Sequence, residues 1–191
     1  RILVSKKIYP ELEARMAEMY KNLRVGQALD DLELGPVISQ RQKAVIEKYI
    51  KSARDLEELS IGNAMEGLPE KGNYVLPRLF GNVPNSHKLA QEEIFGPVQV
   101  IIPFDDEEEA INIANDTKYG LVASVWTKDG ARQMRVAKAI KSGQVFINNY
   151  GAGGGVELPF GGTGHSGHGR EKGFEALYGF STLKTVAAFH G

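Results

Sequence analysis

Apolar residues recur along this chain with two different periods. After Pro10, the residues Leu12, Met16, Tyr20 and Leu23 stand about four apart, which predicts a helix opened by the proline. A second stripe runs through Val45, Ile46, Tyr49, Ile50 and Ala53, with Ser39 as its predicted N-cap and Gln42 as the capping-box partner. A short apolar run at residues 2–4 could be a strand, and a nearly continuous one at 98–104 has strand length. Residues 25–34 read as loop, and residues 55–73 are polar and glycine-punctuated, with no order assignable from pattern. Residues 74–83 read as extended, and Pro77 argues for an edge position because proline cannot donate to a ladder.

The pattern is clearest over residues 97–149. The apolar run 98–104 precedes Asp105, a predicted cap with Glu108 at the capping-box position and Ala110, Ile111 and Ala114 on the inner face. A strand at 121–127 follows, then a helix through Ala131, Met134, Ala137 and Ile140 that Gly143 ends, then a strand at 145–148. This β-α-β-α-β alternation predicts parallel strands joined by right-handed crossovers, in a sheet covered on both faces. Loop follows, with a short helix near residues 171–177 and a last strand at 183–189. A terminal apolar strand exposes an edge that must pair or associate. No internal repeat is visible.

Composition narrows the function classes. With 191 residues the chain is long enough to bury a core without staples. Lys and Arg number 23 against 24 Asp and Glu, so neither a nucleic-acid face nor an acidic tail is indicated. No apolar stretch has the length of a bilayer span, and no signal peptide pattern stands at the start. Cysteine is absent, which removes disulfides, thiolate metal sites and a cysteine nucleophile from these residues and fits a reducing, cytoplasmic setting. Glycine is the outlier at 22 residues, more than half of them within residues 143–179. Aromatic residues interleave there, so the segment reads as a loop of special backbone geometry rather than a linker.

Several motifs carry candidate chemistry. Gly162, Gly164 and Gly167 fit GxGxxG, but no strand immediately precedes them and Ala187 stands where the ribose-binding acid should. His165, His168 and Glu171 have i, i+3, i+6 spacing that would suit a metal on a helix, although Gly167 and Gly169 work against one. In Glu92-Glu93-Ile94-Phe95-Gly96-Pro97, two carboxylates and a ring precede a Gly-Pro breaker and a strand. Either this is a solvated helix end, or a carboxylate is fixed to bind a ribose diol and a ring to pack on a flat cofactor. Pro159-Phe160-Gly161-Gly162 is either a plain turn or an aromatic wall of an apolar pocket.

Together these motifs resemble the aldehyde dehydrogenase superfamily, in the C-terminal part of its chain. The carriers are Glu92 to Pro97, Tyr119-Gly120-Leu121, Phe146-Ile147-Asn148-Asn149, Pro159 to Gly162 and Ser166-Gly167-His168-Gly169-Arg170-Glu171, in the family's order and spacing. Arg1-Ile2-Leu3-Val4 and Gly35-Pro36 with Ser39 and Gln42 also match, so the resemblance covers nearly the whole chain. It implies oxidation of an aldehyde to a carboxylic acid with NAD or NADP. In the family a cysteine thiolate captures the aldehyde, a hydride passes to the nicotinamide, and a glutamate-activated water hydrolyses the thioester. Coenzyme A-acylating variants of the family are left open.

The resemblance assigns residues one by one. Glu93 matches the carboxylate on the nicotinamide-ribose hydroxyls, Phe95 the aromatic near the nicotinamide, and Gln42 a cofactor-contacting polar position that its capping role could equally explain. Phe160 matches an aromatic of the aldehyde pocket, and Tyr150 with Gly151 and Gly153 to Gly155 the loop at the substrate entrance, where so few side chains suggest a roomy mouth. Glu171 matches a buried carboxylate that is either a proton relay or a structural hydrogen-bond partner. Asn148 is read as structural. The resemblance implies an α/β fold with a mostly parallel, helix-covered sheet: residues 1–180 as part of the catalytic domain, and 181–191 as an oligomerisation strand that makes a homo-oligomer. Nucleophile, base and Rossmann domain are missing from these residues, and Arg1 is not methionine. The chain is therefore expected to be a C-terminal segment of a longer enzyme, inactive alone, with the rest of that chain and a small aldehyde as its partners. The competing readings are a non-catalytic α/β interaction module and a metal site on His165, His168 and Glu171.

Overall fold

The computed structural model describes residues 1–151 and 155–191, which divide into two compact units, Arg1–Ala110 and Ile111–Gly191. The first contains β1 (Ile2–Ser5), α1 (Tyr9–Asn22), β2 (Arg24–Val25), α2 (Gln40–Lys51), β3 (Glu57–Ile61), β4 (Asn63–Ala64), β5 (Arg78–Gly81), α3 (Lys88–Gln91) and β6 (Val98–Phe104). The division between units falls within α4 (Glu107–Asn115). The second unit contains β7 (Val122–Val125), α5 (Gly130–Ala139), β8 (Gln144–Ile147) and α6 (Glu175–Gly179).

The first unit is built on a four-stranded sheet ordered β1-β6-β5-β3, parallel except for β3 against β5. Val4, Leu79 and Ile101 form its buried centre, and the predicted stripe of α1 (Leu12, Met16, Tyr20) packs against them with Tyr9 and Leu59. Two tyrosines of α1 are tied at their polar ends. The Tyr9 hydroxyl accepts from the Asn82 amide at 2.6 Å, and the Tyr20 hydroxyl donates to Gln99 Oε1 at 2.6 Å. Burial pushes both phenols up to about 12. A small parallel ladder of β2 with β4 extends this unit.

Local signals in the sequence held where they were strongest. Ser39 caps α2, its hydroxyl accepting from the Gln42 amide at 3.1 Å, and Ile46 of the predicted stripe is fully buried. The run 98–104 is β6 residue for residue. Other expectations shifted. Asp106, rather than Asp105, caps α4 by accepting from the Glu109 amide at 2.9 Å, while Glu109 reaches back to the Asp105 amide at 2.6 Å. Pro77 does not mark an edge: β5 lies inside the sheet between β6 and β3. The proline precedes the first strand residue, so no ladder donor is missing, and its carbonyl accepts from the Gly62 amide at 3.0 Å.

In the second unit β7 and β8 pair in parallel, Val122 opposite Gln144 through Val125 opposite Ile147, with α5 as the connecting helix. Asp129 caps α5 through the Arg132 amide at 3.0 Å. The predicted β-α-β-α-β unit is therefore not one ladder, because β6 and β7 belong to different sheets. Helix α5 ends before Gly143, at the extended C-cap Ile140, and the last helix forms at 175–179 rather than 171–177. Within this single chain no strand forms at residues 183–189. Residues 181–191 make no ladder, and Leu183 and Phe189 are 97% and 94% exposed. A strand needs the hydrogen-bonding groups of a neighbour, and no described strand offers them to this segment.

Candidate functional site

Two groups of the predicted site residues are assembled, one in each unit. In the first, α2 lies against loop 92–96, which connects α3 to β6. Gln42 sits in the first turn of α2, where a capping box would turn its amide back to Ser39. Instead its Nε2 donates to the carbonyl oxygens of Ile94 at 2.8 Å and Phe95 at 3.1 Å. One turn on, Ile46 packs on Gly96 so closely that a Cβ there would lie 2.5 Å from the Ile46 Cδ1 and Cγ1 atoms. A further turn on, the Tyr49 hydroxyl donates to Glu92 Oε2 at 2.6 Å, and the Lys88 ammonium stands 4.8 Å from the Tyr49 ring centre and 3.8 Å from Glu92.

The loop so held presents its chemistry outward. Phe95 has φ of +53°, a left-handed conformation that a bulky residue adopts only when its surroundings impose it. Its ring is 73% exposed, and the adjacent Ile94 is buried as the anchor. Glu93 is exposed, next to the tethered Glu92. An outward carboxylate and an outward ring two residues apart suit a hydroxyl-bearing, flat ligand: the carboxylate accepts from hydroxyls and the ring offers a stacking face. The sequence motif pointed to Glu93 and Phe95. It did not point to Tyr49, although residues 42, 46 and 49 have the spacing of one helix face.

In the second unit, the glycine-rich segment folds over one end of the β7–β8 pair. Phe160 and Glu171 exchange both backbone hydrogen bonds at 2.6 Å, which joins the two ends of the segment. The Lys172 ammonium lies 5.6 Å from the centre of the Phe160 ring. Arg170 Nη1 donates to the carbonyls of Gly162 at 3.0 Å and Gly169 at 2.6 Å, and Gln144 Nε2 to that of Pro159 at 2.9 Å. Gly143 is required by contact, since a Cβ there would lie 1.7 Å from the Gly161 carbonyl oxygen. Phe160 is half-buried, whereas Glu171 is exposed within these 191 residues, unlike the buried position the resemblance implied. Tyr150 is exposed at the end of β8, and of the entrance-loop glycines Gly153 and Gly154 lie outside the described residues.

The alternative sites are not assembled. Gly164, Gly167 and Gly169 all take positive φ, so residues 162–169 form turns and no helix opens at the GxGxxG match. Among the described residues no group of three or more His, Asp or Glu side chains comes together to hold a metal ion, His165, His168 and Glu171 included. His165 instead meets the Tyr119 ring edge-on at 6.0 Å. The Asn148 side-chain amide is bound at both ends to the Thr127 backbone, its Oδ1 accepting from the Thr127 amide at 2.9 Å and its Nδ2 donating to the Thr127 carbonyl at 3.0 Å, in keeping with its structural reading. No helix among the described residues is long and apolar enough to cross a membrane.

The fold is mixed α/β, with the four-stranded sheet of the first unit mostly parallel. Comparison with known proteins makes the class specific: the sequence profile of the aldehyde dehydrogenase family matches residues 1–186, and the chain belongs to that family. A Staphylococcus aureus relative (strain MSSA476) bearing an aldehyde dehydrogenase name is 43% identical over 193 aligned positions, covering 99% of this chain and 40% of the relative. A Burkholderia cenocepacia crystal structure, also assigned by name to the aldehyde dehydrogenases, superposes with a TM-score of 0.95 at 53% identity, covering 100% of this chain and 40% of that one. The Mycobacterium tuberculosis aldehyde dehydrogenase complexed with NAD+ superposes with a TM-score of 0.88 at 40% identity, covering 94% of this chain and 37% of that one. The chain thus spans about 40% of the length of the curated relatives it matches.

Proposed function

We infer that the first unit contributes to the cofactor site, and the second separately to the aldehyde site, of an NAD(P)-dependent aldehyde dehydrogenase whose nucleophilic cysteine, base and dinucleotide-binding domain lie outside the 191 residues. The overall reaction is an aldehyde plus water and NAD(P)+ giving a carboxylate, NAD(P)H and two protons. The nicotinamide, when bound, supplies the hydride acceptor. The observation that carries the reading is the presentation of Glu93 and Phe95. A carboxylate and a ring face outward from a loop whose own backbone is held from behind, with the Phe95 backbone held in the left-handed region. A site residue fixed in this way loses little freedom on binding, which is the purpose of preorganisation.

Glu93 accepts hydrogen bonds from the vicinal hydroxyls of the nicotinamide ribose, and Phe95 gives the nicotinamide an apolar face. Phe160, tied to Glu171 by paired backbone bonds, supplies an apolar surface for the aldehyde side chain. Tyr150 stands at the entrance to the same substrate region. Glu171 serves as a proton relay once the remainder of the enzyme covers it. A second copy of the protein covers the exposed residues 183–189, making a homo-oligomer in the cytoplasm.

Replacement of Glu93 in the complete enzyme tests the assignment. Hydrogen bonds to a charged group are worth about 1.5–3 kcal/mol, so Glu93→Gln should raise the KM for the cofactor about 10-fold or more and leave that for the aldehyde within about twofold. An unchanged cofactor KM would remove Glu93 from the site. The isolated 191-residue chain should form no NADH from acetaldehyde or benzaldehyde.

A further inference from the structure

Helix α2 meets loop 92–96 at three successive points: Gln42 on the Ile94 and Phe95 carbonyls, Ile46 on Gly96, and Tyr49 on Glu92. The two polar ties lie on either side of Glu93, which itself remains exposed. Both hydrogens of the Gln42 amide are committed to the loop. We propose that Gln42 and Tyr49 are positioning residues for the cofactor wall, with Gln42 acting through the backbone of the Phe95 loop rather than by touching the cofactor. The proposal rests on the cofactor reading of Glu93 and Phe95, but it assigns a different role to Gln42 and a new role to Tyr49.

The chemistry of the ties supports this. A carbonyl pair converging on one NH2 group fixes the two successive peptides on either side of the Phe95 Cα, because rotating either one breaks its bond to Gln42. Phe95 is in the left-handed region, with φ of +53°, a conformation a bulky residue keeps only while its surroundings hold it there. Tyr49 ties Glu92 back to α2 through its Oε2 atom, whereas the neighbouring Glu93 is exposed. Tyr49 has no role in the reading in which α2 residues contact the cofactor directly.

The test uses the complete enzyme and three variants. Gln42→Glu keeps an acceptor of the same reach but faces two carbonyl oxygens with a carboxylate. Gln42→Lys keeps a donor for those carbonyls and loses the acceptor. Tyr49→Phe removes only the hydroxyl. The proposal predicts that Gln42→Glu raises the cofactor KM about 10-fold, that Gln42→Lys restores it to within about threefold of the parent, and that Tyr49→Phe raises it about threefold with little change in the aldehyde KM. Amide exchange of the peptide spanning residues 92–98 should quicken in Gln42→Glu and Tyr49→Phe and stay near the parent rate in Gln42→Lys.

The reverse order at position 42, with Gln42→Glu tolerated and Gln42→Lys impaired, would overturn the proposal in favour of direct contact. Quickened exchange with all cofactor constants unchanged would overturn it as well, reducing the ties to a structural role. The Glu93→Gln enzyme separates this failure from that of the underlying reading. If Glu93→Gln alone leaves cofactor binding intact, the cofactor assignment fails. If it weakens binding while the Gln42 and Tyr49 variants do not, only the positioning roles fail.

Discussion

Adding one methyl group at Gly96 tests how tightly α2 grips the loop. Gly96 has ordinary backbone angles, so Gly96→Ala carries no penalty from a left-handed conformation, and its cost comes from contact alone. The new Cβ would lie 2.5 Å from both Cδ1 and Cγ1 of Ile46 and 3.0 Å from its Cγ2. Carbon atoms prefer separations of about 3.5–4.0 Å, so loop and helix must part by about 1 Å. Ile46 has no accessible surface and cannot swing into solvent. Overpacking of this kind costs about 1–3 kcal/mol, or about 2–12 °C in Tm at this chain length. Ile46→Ala alone should cost about 2–5 kcal/mol through the cavity it leaves. In that background the clashing atoms are gone, and Gly96→Ala should cost less than about 0.5 kcal/mol. The assay is urea unfolding of the four proteins followed by far-UV circular dichroism, read as a double-mutant cycle with a coupling of about 1 kcal/mol or more. Equal cost of Gly96→Ala in both backgrounds would show that Ile46 does not hold the loop.

Ser39→Ala removes the side-chain acceptor for the Gln42 amide and should lower stability by about 1 kcal/mol in the same urea assay. Gly143→Ala should be harder to absorb than Gly96→Ala, because its Cβ meets the backbone oxygen of Gly161 rather than a side chain; thermal melting should show the larger loss. Arg24 binds Glu33 with its side chain and its amide and holds that carboxyl at about 2, below its ordinary value of 4.5. A lowered folded-state value means that the stabilisation is complete above about 4.5 and fades as pH falls towards about 2. Glu33→Gln should therefore flatten the pH dependence of Tm in that window and leave it unaltered between pH 6 and about 8.

The features legible in the sequence were those fixed by near neighbours. The Ser39 cap, the Ile46 stripe and the apolar run of β6 each depend on residues a turn or a strand apart. Pro77 misled because the interior position of β5 depends on β3, whose Glu57 and Glu58 give no apolar alternation and whose ladder is interrupted between Glu58 and Ser60. The capping box of α4 was misplaced by one residue because Asp105 and Asp106 are equally good caps by type. The apolar run 183–189 has strand composition, but composition supplies only one side of a ladder. Glu93 and Phe95 were singled out by resemblance to the family, and the way α2 holds their loop was not legible in the sequence. That Gln42 would leave its own helix end for the carbonyls of a loop fifty residues on is a tertiary choice, which no neighbour in the sequence announces.

The central claim is that Glu93 and Phe95 face a nicotinamide cofactor. A crystal structure of the complete enzyme with NAD(P)+ bound tests it most directly. The account predicts the Glu93 carboxylate within about 3 Å of the nicotinamide-ribose hydroxyls, the Phe95 ring against the nicotinamide, and the Gln42 amide still on the Ile94 and Phe95 carbonyls. A cofactor bound elsewhere, with Glu93 and Phe95 left in solvent, would contradict it.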